Sequence, residues 1–112
     1  MEISLFPLPT AAYHSARELT QHPRIGKDVD LYSPVLDSYV ETGRLTARIF
    51  IDEKGGVDFI LVDATDLPPV FAEHVKRSFS AARFVPGELD GRPVKSQIRI
   101  EVTFDPNRQP PD

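Results

Sequence analysis

The stretch Val94-Lys95-Ser96-Gln97-Ile98-Arg99-Ile100-Glu101-Val102-Thr103-Phe104 decides the fold. Val94, Ser96, Ile98, Ile100, Val102 and Phe104 alternate with Lys95, Gln97, Arg99, Glu101 and Thr103, the period of two that a strand with one buried and one wetted face requires. Upstream, Leu45, Ala47, Ile49 and Ile51 alternate in the same way with Thr46, Arg48, Phe50 and Asp52, which assigns Phe50 to the wetted side. Asp52-Glu53-Lys54-Gly55-Gly56 then supplies turn residues, two of them glycines able to take positive φ. Val57 to Asp63 follows as a run rich in β-branched and aromatic residues. These two segments read as an antiparallel hairpin.

Between the hairpin and the last strand the period changes. Asp66-Leu67-Pro68-Pro69 places prolines where the first turn of a helix tolerates them, because those amides have no intrahelical partner. Across Val70 to Ala82, Phe71, Val75, Phe79 and Ala82 fall on one side and Glu73, Lys76, Arg77 and Ser80 on the other, the mark of a helix laid on a sheet. Arg83-Phe84-Val85-Pro86-Gly87 follows, and Leu89-Asp90-Gly91-Arg92 reads as a turn. The order strand, strand, helix, strand predicts an α+β fold: a small, mainly antiparallel three-stranded sheet (β-β-α-β) with one helix packed on one face. The polar residues of the last strand can stand in water on the other face, so one helical layer suffices, and the sheet is left with unpaired edges.

The flanks carry less signal. The chain has 112 residues, the size of one domain, and 11 prolines, none between Val35 and Leu67. Prolines at 7, 9, 23 and 34 break the first third into short pieces, so 1–41 is expected to be an irregular arm, 42–104 the α+β domain and 105–112 a flexible tail. Within the arm, Ser15-Ala16-Arg17-Glu18 has capping-box spacing and predicts one helical turn ahead of Pro23. Thirteen Lys and Arg against 17 Asp and Glu give a net charge of -4 without a basic cluster, which argues against nucleic acid as a partner. The absence of cysteine removes disulfides, thiolate chemistry and Cys-ligated zinc. No apolar run approaches the roughly 20 residues of a membrane-spanning helix.

Nothing in the pattern points to catalysis or a cofactor. His14, His22 and His74 have no metal-ligand spacing with one another or with a carboxylate pair, and His74 is expected beside the Phe71 and Val75 stripe. Asp52 and Asp66 belong to turns and Asp58 alternates away from Val57 and Phe59, so turn and solvent roles account for these carboxylates. Gly55-Gly56 is not followed directly by a helix and lacks the context of a phosphate cradle. The reading is therefore of a non-enzyme without cofactor or metal.

In order and spacing, the residues resemble the C-terminal domain of TonB-like energy transducers over roughly Leu31 to Phe104. The matching pieces are Gly43-Arg44-Leu45, Ile51-Asp52-Glu53-Lys54-Gly55-Gly56-Val57, Ala82-Arg83-Phe84-Val85-Pro86-Gly87 and Asp90-Gly91-Arg92-Pro93-Val94. The family's frequent Tyr-Pro upstream of the first strand appears here only loosely, as Tyr32-Ser33-Pro34. The resemblance implies a periplasmic domain that captures an extended segment near the N-terminus of an outer-membrane TonB-dependent transporter by β-strand addition. It would transmit force from inner-membrane motor proteins through an N-terminal anchor that this sequence lacks. As a fragment, such a chain belongs in the periplasm; complete, it would be cytoplasmic.

The site expected on this reading is the edge of the last strand, formed by Val94, Lys95, Ser96, Gln97, Ile98, Arg99, Ile100 and Glu101, where main-chain bonds provide the grip. Lys95, Gln97, Arg99 and Glu101 would supply side-chain selectivity, with Gln97 and Arg99 foremost because they sit mid-strand and can donate to a polar or acidic peptide. The alternative is a structural module that dimerises by pairing the same edge with its twin.

Overall fold

The computed structural model describes residues 13–26 and 42–105. Its strands and helix are β1 (Arg24–Ile25), β2 (Gly43–Ile51), β3 (Val57–Thr65), α1 (Pro69–Ser80), β4 (Phe84–Val85), β5 (Glu88–Leu89), β6 (Arg92–Pro93) and β7 (Ser96–Phe104). The three long strands form one antiparallel sheet in the order β3-β2-β7. The expected α+β architecture is present, with the hairpin's first strand at the centre.

The alternation of β2 sets the core. Leu45, Ala47, Ile49 and Ile51 are fully buried, and Phe71, Val75 and Phe79 of α1 pack onto them with Leu67, Phe84 and Val102. Each such side chain taken out of water contributes about 1.5 to 3 kcal/mol, so this layer dominates the stability. The helix begins at Pro69 with Pro68 as its N-cap, and the spacing of four puts Phe71, Val75 and Phe79 on its buried stripe. Ile98, Ile100 and Phe104 of β7 reach the same core partly buried, and the Phe104 ring meets Phe71 edge-on at 4.5 Å.

Turn chemistry fixes the connections. Asp52 closes the β2–β3 turn by accepting the Lys54 and Gly56 amides at 2.8 and 2.9 Å. Burial alone would raise its carboxyl; the amides of Gly56, Lys54 and Gly55 outweigh that and hold it below the usual carboxylate range. Of the two glycines there, only Gly55 takes positive φ, +90°. Asp90 and Gly91 both have positive φ, which matches the twist of the tight β5–β6 hairpin.

One expectation needs correction. Phe50, assigned to the wetted side of β2, is fully buried: it stacks on Phe59 at 4.4 Å, and the Tyr13 ring closes edge-on over both at 5.2 and 5.8 Å. An aromatic pair that large on an otherwise polar face exposes too much apolar area to remain wet. Asp58 is exposed, as expected, and in addition accepts the Tyr13 hydroxyl.

The covering segment comes from the arm. Residues 13–26 lie against the sheet and the β4–β6 region, tied through Gly26 N–H to Arg83 O, β1 to β4, and Thr20 and Gln21 to Glu88. The predicted turn is a 3-10 turn at Ala16–Glu18, where Glu18 reaches back to the Ser15 amide and hydroxyl at 3.3 and 3.0 Å. The remainder of the arm and the tail beyond residue 105, together with Tyr32-Ser33-Pro34, lie outside the described residues.

Candidate functional site: the outer edge of the last strand

A sheet with two outer strands offers two edges, and their regularity differs. The β2–β3 ladder has register shifts at Thr46/Ala47 and Phe50/Ile51, whereas β2 and β7 pair without interruption from Gly43↔Phe104 to Ile51↔Ser96. Irregular edges twist away from further pairing and straight ones invite it. The β7 edge is therefore the better template for another strand.

Part of that edge is already used. His14 N–H donates to Lys95 O and Gln97 N–H donates to His14 O, both at 3.0 Å, so one arm residue pairs in parallel with the start of β7. Gln97 Nε2 also donates to the Tyr13 carbonyl at 3.1 Å, and the Lys95 ammonium lies 5.5 Å from the Tyr13 ring centre. The arm turns away at Ser15. Because the Gln97 amide points outward and strand backbones alternate, Arg99, Glu101 and Thr103 also aim their N–H and C=O groups off the sheet. No described residue pairs with them.

The expected edge residues thus divide. Val94 precedes the strand and donates its amide to Gly87 O. Lys95 also precedes it, and Lys95 and Gln97 are engaged by the arm. Ser96 is buried, and Ile98 and Ile100 turn inward against the helix-side core. Arg99 and Glu101 stand exposed on the face opposite the helix, beside backbone that no described residue pairs. Thr103, absent from the expected set, continues the same row.

The latch over the edge has its own electrostatics. Tyr13 is only 7% exposed. Its hydroxyl is pushed up to about 12, first by burial, then by the hydrogen bond to Asp58 and the negative charges of Asp58, Asp52 and Glu53. His14 Nδ1 lies 3.0 Å from Glu18 Oε2, and hydrogen bonds from His14 and Ser15 hold the Glu18 carboxyl below its ordinary range.

Among the described residues no group of three or more His, Cys, Asp or Glu is arranged to hold a metal. No described helix is long and apolar enough to cross a membrane. What the arrangement can do is bind backbone.

No known family's sequence profile matches the chain, and no curated protein does. Among solved structures, the chain is similar to the Pseudomonas aeruginosa TonB C-terminal domain determined by solution NMR. The identity is 20%, the TM-score 0.61, and the match covers 86% of this chain and 96% of that one. The fold is that of the TonB C-terminal domain.

Proposed function

We propose that this chain is the peptide-capturing domain of a TonB-like energy transducer: it takes an extended segment of an outer-membrane transporter as an added strand on β7, in the periplasm, and passes on force generated at the inner membrane. The carrying observation is a straight edge whose backbone at Arg99, Glu101 and Thr103 has no partner among the described residues, in a fold like that of the TonB C-terminal domain. Main-chain groups on that stretch support on the order of five hydrogen bonds, each worth a net 0.5 to 1.5 kcal/mol. After the ordering cost of the incoming chain this leaves a modest affinity, suited to a joint that must let go.

Amide NMR titration with extended peptides, run beside sedimentation, tests the reading. The expected result is a monomer whose Arg99, Glu101 and Thr103 amides shift and gain exchange protection when peptide is added. A dimer formed through the same amides without peptide would replace this reading with self-association. Amides unmoved by any peptide, in a protein that stays monomeric, would refute both.

A further inference from the structure

Arg48 and Arg99 stand directly opposite each other in the β2–β7 ladder, on the face away from the helix. Like charges at such a position repel. Arg48 is relieved by Asp63, which it grips with Nε at 3.1 Å and Nη2 at 2.9 Å. Arg99 has no carboxylate partner among the described residues.

These two arginines share a groove. It is an open groove of about 770 Å³ between the 3-10 turn of the arm and the start of β7, and Arg17, His22, Arg48, Gln97 and Arg99 are among the residues lining it. Every ionisable side chain among the described residues of this lining is basic, in a chain whose net charge is -4. Among the described residues the carboxylates of the neighbourhood are committed or displaced: Glu18 bonds to His14 and Ser15, Asp63 holds Arg48, and Glu101 lies two positions farther along β7. The groove's lining spans Ser15 and Ala16, where the arm leaves the edge, and Arg99, where the backbone that no described residue pairs begins.

We infer that the groove reads acidic side chains at one end of the captured segment, the end that meets Ile98 when the segment pairs along Arg99 to Thr103. The inference rests on the strand-addition reading for the position of the peptide. It adds which peptide is preferred. A carboxylate there would sit between Arg99 and Arg17, offset the repulsion across the ladder, and form charge-assisted bonds with guanidinium donors.

Three synthetic extended peptides of equal length test this: one uncharged, one with two aspartates at its N-terminal end and one with two at its C-terminal end. They are titrated against the labelled full chain with backbone amides and arginine Nε groups both observed. One acid-ended peptide is expected to bind about tenfold more tightly than the uncharged peptide in low salt, with most of that advantage screened away at high salt. In the double variant Arg17→Gln, Arg99→Gln the advantage should vanish, each acid-ended peptide binding no more tightly than the uncharged one. Equal binding of all three peptides, with the amides at 99, 101 and 103 shifting, overturns the acidic preference and leaves strand capture standing. An acid-ended peptide that moves the arginine Nε signals but not those amides upholds the anionic groove and overturns strand capture. An advantage that survives in the double variant overturns the assignment to these arginines.

Discussion

Replacing Gly55 with Ala should be among the most damaging single-methyl changes in this protein. Residue 55 has a φ of +90°, a conformation that costs an L-residue about 1 to 2 kcal/mol. Its new Cβ would fall on the Phe84 carbonyl oxygen, inside any permitted contact. That carbonyl is main chain, and the Phe84 amide is held at 2.9 Å by Gly55 O, so neither group can swing aside alone. Relief requires moving the hairpin tip away from β4, at the expense of that hydrogen bond, about 1 kcal/mol. It also disturbs the Phe84 side chain, 5% exposed in the core, where misfit typically adds about 1 to 3 kcal/mol. The sum, about 3 to 6 kcal/mol, is a large share of the 5 to 15 kcal/mol available to a domain of this size. Gly91 is the control. Its φ is +82° and a Cβ there meets nothing within 4 Å, so Gly91→Ala should cost only the backbone strain, about 1 to 2 kcal/mol. Urea unfolding of both variants, compared at unchanged m-value, separates the terms. Equal losses of stability in the two would refute the role given to the Phe84 contact.

Tyr13→Ala should release the arm, exposing Phe50 and Phe59 at a cost of about 3 kcal/mol and leaving the Gln97 amide open to hydrogen exchange; a Gln97 amide that stays protected would contradict the latch. Because the Tyr13 hydroxyl is raised to about 12, the folded protein retains that proton above the usual tyrosine range near 10. The stability it contributes is complete below about pH 10 and declines as pH climbs toward 12, which ultraviolet tyrosine titration alongside melting would reveal. Asp52→Ala leaves the Lys54 and Gly56 amides without their acceptor and should cost about 1 to 3 kcal/mol in melting experiments. Since the Asp52 carboxyl is depressed, the same stabilisation is present above the ordinary carboxylate range and is lost as acid brings pH down through its folded value. Arg99→Glu turns a repulsive cross-strand pair with Arg48 into an attractive one, so the fold should be unchanged or firmer by about 0.2 to 1 kcal/mol while peptide preference alters; a lowered melting temperature would contradict the register.

The sheet was legible because its signal is repetitive. Five inward side chains on β7 and four on β2 repeat one spacing, and Phe71, Val75 and Phe79 repeat another, so periodicity alone separates strand from helix. The docked arm has no period to read. It is held by one aromatic ring, a single residue's backbone and scattered main-chain bonds, none of which leaves a pattern among prolines. One clue was present: Phe50 on a polar face, with a second phenylalanine at 59 across the hairpin, requires a cover. The like-charge pair of Arg48 and Arg99 depends on inter-strand register, which alternation within each strand leaves open. Gln97 looked available as a mid-strand donor, but its amide and its side chain serve the arm.

The unbroken ladder between β2 and β7 has a mechanical corollary. Its nine registered residue pairs form a longer seam than any visitor could make with the stretch from Arg99 to Thr103. Under tension along the strands, bonds in a seam share the load and the shorter overlap ruptures first. On the strand-addition reading, a tethered segment would shear off before the sheet tore, and the fuse would lie on the outside.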